Sequence, residues 1–284
     1  MSSGLDVVTR SGAIREEGRK LLAFLRRDVL VAWSYRLPFV TDWVGMVLQA
    51  LVFGFVGKLI PPSALPRFGG EPVDYLEFVA VGIAIASFLA VGLSRLMTVI
   101  RQEQVQGTLE ALLLTPTAWS TIEIGSAFYD ILYVPVRTAI FLGITAVFFD
   151  ASYHLAGVVP AAAVLIAFIP FVWGLGVISA AATLTFRRGA GGVGFIVSIA
   201  TLGSGAFFPL AVLPGWAQAV AEYNPIAIAV TAMREALLGG STWVDVWPSI
   251  LQLIPMSGLA MILGAVAFRA AIARERRRGT LGLY

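Results

Sequence analysis

Cysteine is absent from the 284-residue sequence, histidine occurs once (His154), and charged residues make up only 13% of the chain. Without cysteine the protein forms neither disulfides nor thiolate metal sites, and one histidine makes a histidine-rich metal site implausible. Soluble domains carry about 25% charged residues, so these few charges cannot cover a globule of this size. A chain with 58% hydrophobic residues is also unlike a disordered one. The composition therefore indicates a polytopic membrane protein.

Lysine is almost as scarce, since only Lys20 and Lys58 occur and each precedes a leucine. A Walker A loop requires lysine followed by serine or threonine, so the chain has no such loop for ATP. The single histidine, which we predict to lie outside the membrane, gives no convincing Ser-His-Asp set. The sequence thus predicts no catalytic residue, no metal site and no cofactor on this chain, and we do not expect an enzyme.

Six long apolar segments predict six transmembrane helices, because a span needs about 20 mostly apolar residues. They cover residues 37–60, 75–99, 121–149, 155–185, 192–212 and 247–271. Residues 226–238 are too short for a seventh span. We interpret 213–240 as a re-entrant external hairpin of two short helices, bounded by prolines and paired glycines. The predicted fold is therefore all-α.

The basic residues are distributed very unevenly between the two predicted sides of the membrane. Sixteen lysines and arginines lie in the N-terminal arm, the connectors at 95–119 and 186–191, and the tail, whereas three lie on the opposite side. Positive charge favours the cytoplasmic side, so both termini are predicted to be cytoplasmic. We divide the chain into an arm with an amphipathic interface helix (1–36), a six-helix membrane domain (37–271) and a basic tail (272–284).

Four charged residues fall within the predicted spans: Asp42, Glu123, Asp130 and Arg137. Charges inside spans are costly and are candidates for function. Packing and anchoring contacts between helices are the favoured explanation, and an ion or proton path is the alternative that the sequence leaves open. Small residues at every fourth position of the second span, from Gly82 to Ser94, predict close approach of another helix.

Two stretches resemble the permease subunits of ABC-2-type exporters. The first is Arg101–Thr117, R-Q-E-Q-V-Q-G-T-L-E-A-L-L-L-T-P-T, between the second and third spans. The family has an acidic residue, Gly-Thr-Leu-Glu, and then leucines ending in Thr-Pro. The matching residues, which the resemblance assigns to coupling with an ATPase, are Arg101, Glu103, Gly107, Thr108, Leu109, Glu110, Leu113 and Pro116.

The second stretch begins at Phe207 and continues through the predicted hairpin to Gly239-Gly240. It resembles the family's signature at the fifth span and at the outer hairpin, which the resemblance implies is an external gate. The residues carrying this signature are Phe208, Pro209, Pro214, Trp216, Asn224, Pro225 and Arg234.

The resemblance covers nearly the whole chain and implies an ATP-driven exporter in the cytoplasmic (inner) membrane. Its expected partners are two copies of a separate ATPase, which binds ATP and magnesium, and a second permease copy in a homodimer. The implied substrate is amphipathic: a drug or antibiotic, a lipid or a lipid-linked glycan. No nucleic acid is expected as a partner. The alternative is an ion-coupled secondary transporter or channel without an ATPase, or a structural scaffold.

Overall fold

The computed structural model describes residues 26, 30, 36–106, 119–186 and 189–278. Within these ranges, side chains are described except at 36–39, 42, 95–97, 99–132, 189, 190, 276 and 278. The described α-helices are α1 (Arg36–Gly57), α2 (Tyr75–Gln106), α3 (Trp119–Phe149), α4 (Val158–Thr185), α5 (Gly189–Leu202), α6 (Gly215–Ala221), α7 (Pro225–Gly239) and α8 (Trp243–Arg278). The prediction of a helical membrane fold is confirmed.

Three segments in the described part are long and apolar enough to cross a membrane. They are Tyr75–Ser94 in α2, Leu155–Thr185, which contains α4, and Trp243–Glu275 in α8. Shorter apolar segments, Trp43–Gly57, Tyr133–Phe149 and Gly191–Leu202, lie in α1, α3 and α5. These segments support a multi-pass protein, while the count of six spans stays a prediction.

The fifth predicted segment, 192–212, is wrong in its extent. Helix α5 ends at Leu202 after 14 residues, a length of about 21 Å at 1.5 Å per residue. The chain then turns at Gly205, whose φ of 73° lies in the left-handed region that glycine readily adopts. The apolar composition continues beyond Leu202, but the helix does not. Residues 203–208 form a non-helical connection, called here the turn segment.

Helices α4 and α8 pack along each other in parallel. The Ser257 hydroxyl donates to the Ala167 carbonyl at 2.9 Å. Seven residues further along each helix, Gly264 lies against Gly174, where an added Cβ would stand 2.8 Å from the Gly174 oxygen. The carboxyl ends of both helices therefore lie at the same end of the bundle. The basic sequence that ends α8 lies at this end.

The predicted hairpin region contains two short helices, α6 and α7. Asn224 caps α7 by accepting a hydrogen bond from the Ile226 amide, and Gly240 ends it with a left-handed φ of 62°. Helix α7 is buried along most of its length and packs against α2, α4 and α8. Its depth relative to a lipid bilayer stays a prediction.

The predicted coupling segment lies mostly outside the described residues. Residues 101–106 continue α2 without a break, and 107–118 are outside the described part, so the coupling role stays a prediction. The amphipathic helix predicted in the N-terminal arm is outside it as well, apart from isolated positions 26 and 30.

Candidate functional site

Arg234 is the most deeply buried charged residue in the described part of the chain, with 4% of its surface exposed. It projects from α7 towards the amino-terminal part of α2. Its Nε donates to the Phe78 carbonyl at 3.0 Å, and its two terminal nitrogens donate to Gly205 and Ala206 carbonyls, each at 2.8 Å. The guanidinium also lies 3.4 Å from the centroid of the Phe78 ring. We call Arg234, Phe78 and these carbonyl groups the arginine clamp.

Three consecutive carbonyls of the turn segment accept side-chain donors. Arg234 binds the first two, and the Tyr75 hydroxyl donates to the third, that of Phe207, at 3.0 Å. A turn has few backbone partners for its carbonyls, and a buried carbonyl without a donor costs about 1–3 kcal/mol. The side chains of α2 and α7 therefore supply the hydrogen-bond donors that the carbonyls of the turn segment lack.

Gly82 allows the turn segment to approach α2 closely. A Cβ at this position would collide with the backbone carbonyl of Ala206, the same group that Arg234 binds. The small-residue pattern was predicted to receive a helix. That prediction is corrected at Gly82, because the partner is the non-helical turn segment, whose buried Ala206 carbonyl lies against the helix surface.

The charge of Arg234 is balanced by dipoles rather than by a carboxylate, since it forms no ion pair with any described residue. Burial lowers the pKa of Arg234 to about 9, so the guanidinium is still protonated at neutral pH. The carbonyl oxygens and the negative face of the Phe78 ring stabilise it. A planar guanidinium with donors in several directions suits this arrangement, and an ammonium group does not.

Asn224 forms a second connection across the hairpin. While its side-chain oxygen caps α7, its Nδ2 donates to the Ala200 carbonyl in the last turn of α5 at 2.7 Å. Carbonyls at the end of a helix lack partners within that helix. The single side-chain amide of Asn224 thus binds one backbone carbonyl at the carboxyl end of α5 and one backbone amide at the amino end of α7.

A further set of contacts lies at the same end of the bundle. One carboxylate oxygen of Glu77, near the start of α2, accepts from the Ser152 amide at 2.6 Å. The Tyr153 hydroxyl lies 2.8 Å from the hydroxyl of Thr145 on α3. Burial is the main cause that raises the pKa of Tyr153 to about 12. These contacts join the α3–α4 connection to α2 and to α3.

A pocket of about 500 Å³, called here the helix pocket, lies between α2, α4 and α5. Its α2 wall carries Ala86, Ala90 and Ser94, three of the four small residues in the predicted stripe. Ser179, Ser198 and Thr201 also border it, among apolar side chains. The hydroxyls of Ser198 and Thr201 donate to their own helix, each at 2.8 Å. A mostly apolar wall with a few hydroxyl groups suits an amphipathic guest.

The structure brings together only part of the predicted gate set. Arg234, Asn224 and Pro225 belong to α7 or its cap. Phe208, the last residue of the turn segment, and Pro209 after it are half-buried. In contrast, Pro214 and Trp216 are exposed at the start of α6, with Trp216 75% exposed. Their assignment to one gate stays a prediction.

Among the other predicted residues, the structure describes the side chain of Arg137 alone. Arg137 is half-buried in α3. The side chains of Asp42, Glu123 and Asp130, and those of the coupling residues Arg101 and Glu103, lie outside the described set, as do Gly107, Thr108, Leu109, Glu110, Leu113 and Pro116 entirely.

Sequence reasoning missed Phe78 and Tyr75, the α2 side chains of this site. Both look like ordinary aromatic residues at the start of an apolar span. Gly82 was noticed, four residues after Phe78 and on the same helical face, but its partner could not be inferred from the sequence.

The sequence model of the family described as "ABC-2 type transporter" matches residues 19–238. The chain belongs to this family. The match includes the predicted coupling segment, the helix pocket, and the hairpin through Arg234. The ABC-2 chain is also similar to the daunorubicin resistance ABC transporter permease protein DrrB1 of Streptomyces coeruleorubidus. The two are 26% identical over 240 residues, which cover 81% of this chain and 80% of the relative.

Family membership supports a membrane-embedded transporter component that is distinct from the ATPase. Such a component implies an ATPase partner. This agrees with a sequence in which neither lysine stands in a Walker A pattern.

Proposed function

We propose that this ABC-2 protein is the permease subunit of an ATP-driven exporter. It moves an amphipathic substrate out across the cytoplasmic membrane while ATP and magnesium bind a separate ATPase subunit. The observation that carries this proposal is the family match over residues 19–238, which includes the coupling motif and the hairpin motif through Arg234.

The substrate class is drawn from the relative and from the helix pocket. The relative is named for resistance to daunorubicin, which favours a drug-like substrate over a lipid or lipid-linked glycan. The helix pocket supports this choice, because its apolar side chains and hydroxyl groups suit a compact guest that has both apolar and polar parts. We propose the helix pocket as part of the transport path.

The proposed assembly contains two permease copies and two ATPase subunits. Both termini face the cytoplasm in this assembly, as the distribution of basic residues along the sequence favours. The carboxyl end of α2 and the following coupling segment then face the ATPase, and the arginine clamp lies at the opposite side of the membrane.

Helix α2 provides a physical connection between these two sites. It runs unbroken from Tyr75 to Gln106, a length of about 48 Å. Phe78 lies near its first turn, in the clamp, and Arg101 lies near its last, in the coupling motif. Displacement of the coupling segment by the ATPase would move α2 as a rigid element and strain the clamp, whose contacts must differ between closed and open states.

The proposal is tested by co-purifying the permease with its ATPase in lipid vesicles and measuring ATP hydrolysis with and without substrate. Glu110→Ala and Gly107→Pro are expected to reduce the substrate-dependent part of hydrolysis while the complex still assembles. Glu71→Ala, at an exposed position beside the start of α2, is the control and should leave hydrolysis unchanged.

Ion-driven transport would give the opposite pattern. Substrate would cross the membrane without the ATPase, and transport would respond to Asp130→Asn or Arg137→Gln but not to the coupling variants. That result would overturn the proposed function.

A further inference from the structure

A cavity of about 900 Å³, called here the hairpin cavity, lies between the α1–α2 connection, the turn after α5, and the α7–α8 junction. It is separate from the helix pocket and shares none of its lining residues. The volume lies within the range of about 300–1,000 Å³ that is typical of small-molecule sites. It lies at the end of the bundle opposite the carboxyl ends of α4 and α8.

One wall of the hairpin cavity is apolar and partly aromatic. Leu65, Phe68 and Leu210 line it, and the Phe68 ring packs 6.4 Å from that of Phe78. Such a wall suits the apolar body of a ligand, because burying it removes hydrocarbon surface from water.

The other wall carries two carboxyl groups, Glu235 and Asp245. One oxygen of Asp245 accepts from the amide and the hydroxyl of Thr242, at 2.9 and 3.0 Å. Glu235 is half-buried, and its carboxylate accepts no hydrogen bond and forms no ion pair among the described residues. Burial, and then the negative charge of Asp245, raise the pKa of Glu235. A half-buried carboxylate without a donor is unfavourable, and a cationic donor would satisfy it.

The two arginines at the hairpin cavity do not supply that donor. Arg234 directs its guanidinium to the carbonyls of the clamp, and the exposed Arg67 forms no ion pair with any described residue. A metal ion is a poorer fit than an amine, because the described residues hold no group of three His, Cys, Asp or Glu side chains suited to a metal.

We propose that the hairpin cavity binds an amphipathic primary amine, with the ammonium group at Glu235 and Asp245 and the apolar body against Leu65, Phe68 and Leu210. The inference does not depend on ATP-driven transport, because the cavity and its carboxylates belong to this chain alone. A failure of amine binding and a failure of ATP-driven transport can therefore be told apart.

The test uses the full-length permease in phosphatidylcholine nanodiscs without the ATPase. The probe is dansylcadaverine, whose dansyl fluorescence rises in apolar surroundings, and N-acetyl-dansylcadaverine is its neutral counterpart. Saturable binding of the amine above that of empty nanodiscs is expected, with the neutral probe about tenfold weaker, as for the loss of one charged hydrogen bond.

Two variants address the two walls. Glu235→Gln removes the charge at almost constant volume and should weaken amine binding by about tenfold. Ala211→Trp fills the cavity from an exposed position and should abolish binding even if Glu235→Gln proves unstable. Glu222→Gln, at an exposed site on the hairpin outside the cavity, is the matched control. Equal binding of both probes, unchanged binding by both variants, or displacement by millimolar magnesium or calcium at constant ionic strength would overturn the proposal.

Discussion

Arg234 on α7 and Phe78 on α2 lie 156 positions apart in the sequence, yet the guanidinium of one stands 3.4 Å from the ring centroid of the other. The same guanidinium holds two carbonyls of the turn segment at 2.8 Å. One side chain therefore joins the hairpin, the α2 helix and the end of α5. If these elements separate during transport, this side chain must release at least one of them.

Replacing Arg234 by lysine should destabilise the protein although the charge is kept. An ammonium also has three donors, but all of them sit on one nitrogen, so it cannot reach the three carbonyls that three separate arginine nitrogens bind. One or two carbonyls should lose their donor, at a cost of about 2–4 kcal/mol in total. The measurement is the thermal unfolding midpoint in nanodiscs. Arg67→Lys, an exposed arginine at the cavity rim, should leave the midpoint unchanged. A midpoint of Arg234→Lys equal to that of the wild type would contradict the clamp.

Gly82→Ala should displace the turn segment and lower the unfolding midpoint, because the added methyl group collides with the Ala206 backbone. The control is Gly143→Ala in α3, where an added Cβ meets no atom within 4 Å. That substitution should be neutral or stabilise the helix by up to about 1 kcal/mol. Equal midpoints for the two variants would show that the close approach at Gly82 is not structurally important.

Ala90→Phe should fill the helix pocket and reduce transport without loss of assembly with the ATPase. Ala90 borders the pocket on α2, and a phenyl ring would occupy part of its 500 Å³. The control is Ala162→Phe on the exposed face of α4. Transport of the substrate into vesicles is measured per assembled complex. Similar transport by both variants would place the path elsewhere.

Tyr153 should make the protein less stable as pH rises from 10 to 12. Its folded pKa of about 12 lies above the ordinary tyrosine pKa of about 10, so the unfolded chain loses this proton first. The stabilisation is complete below pH 10 and is lost as pH rises through 12. The free energy of unfolding should have fallen by about 1.4 kcal/mol at pH 11. Unfolding midpoints from pH 9 to 11 should fall less steeply in Tyr153→Phe than in the wild type. Parallel slopes would rule out this contribution.

Much of the helical organisation could be predicted because membrane spans are defined by composition and length. The apolar runs located α1 to α5 and α8 to within a few residues at most ends, and prolines with paired glycines bounded the hairpin. The end of α5 was misplaced because residues 203–212 are as apolar as the helix before them. Their geometry depends on donors from Tyr75 and Arg234, which lie far away in the sequence.

The site itself was only partly predictable. Arg234 and Asn224 stood out as polar residues in an apolar hairpin and as matches to a family motif. Phe78 and Tyr75 did not, since an aromatic residue at the start of a span has many ordinary roles. Their function depends on tertiary contacts that no local pattern in one sequence encodes.

The central claim, ATP-driven export through this chain, is tested most directly by transport into inside-out vesicles that contain the permease and its ATPase. The account predicts accumulation of a fluorescent amphipathic drug that requires ATP and magnesium. It should stop when the Walker A lysine of the ATPase is replaced, and fall in Glu110→Ala. Accumulation that continues without the ATPase, or that follows an ion gradient in the absence of ATP, would contradict it.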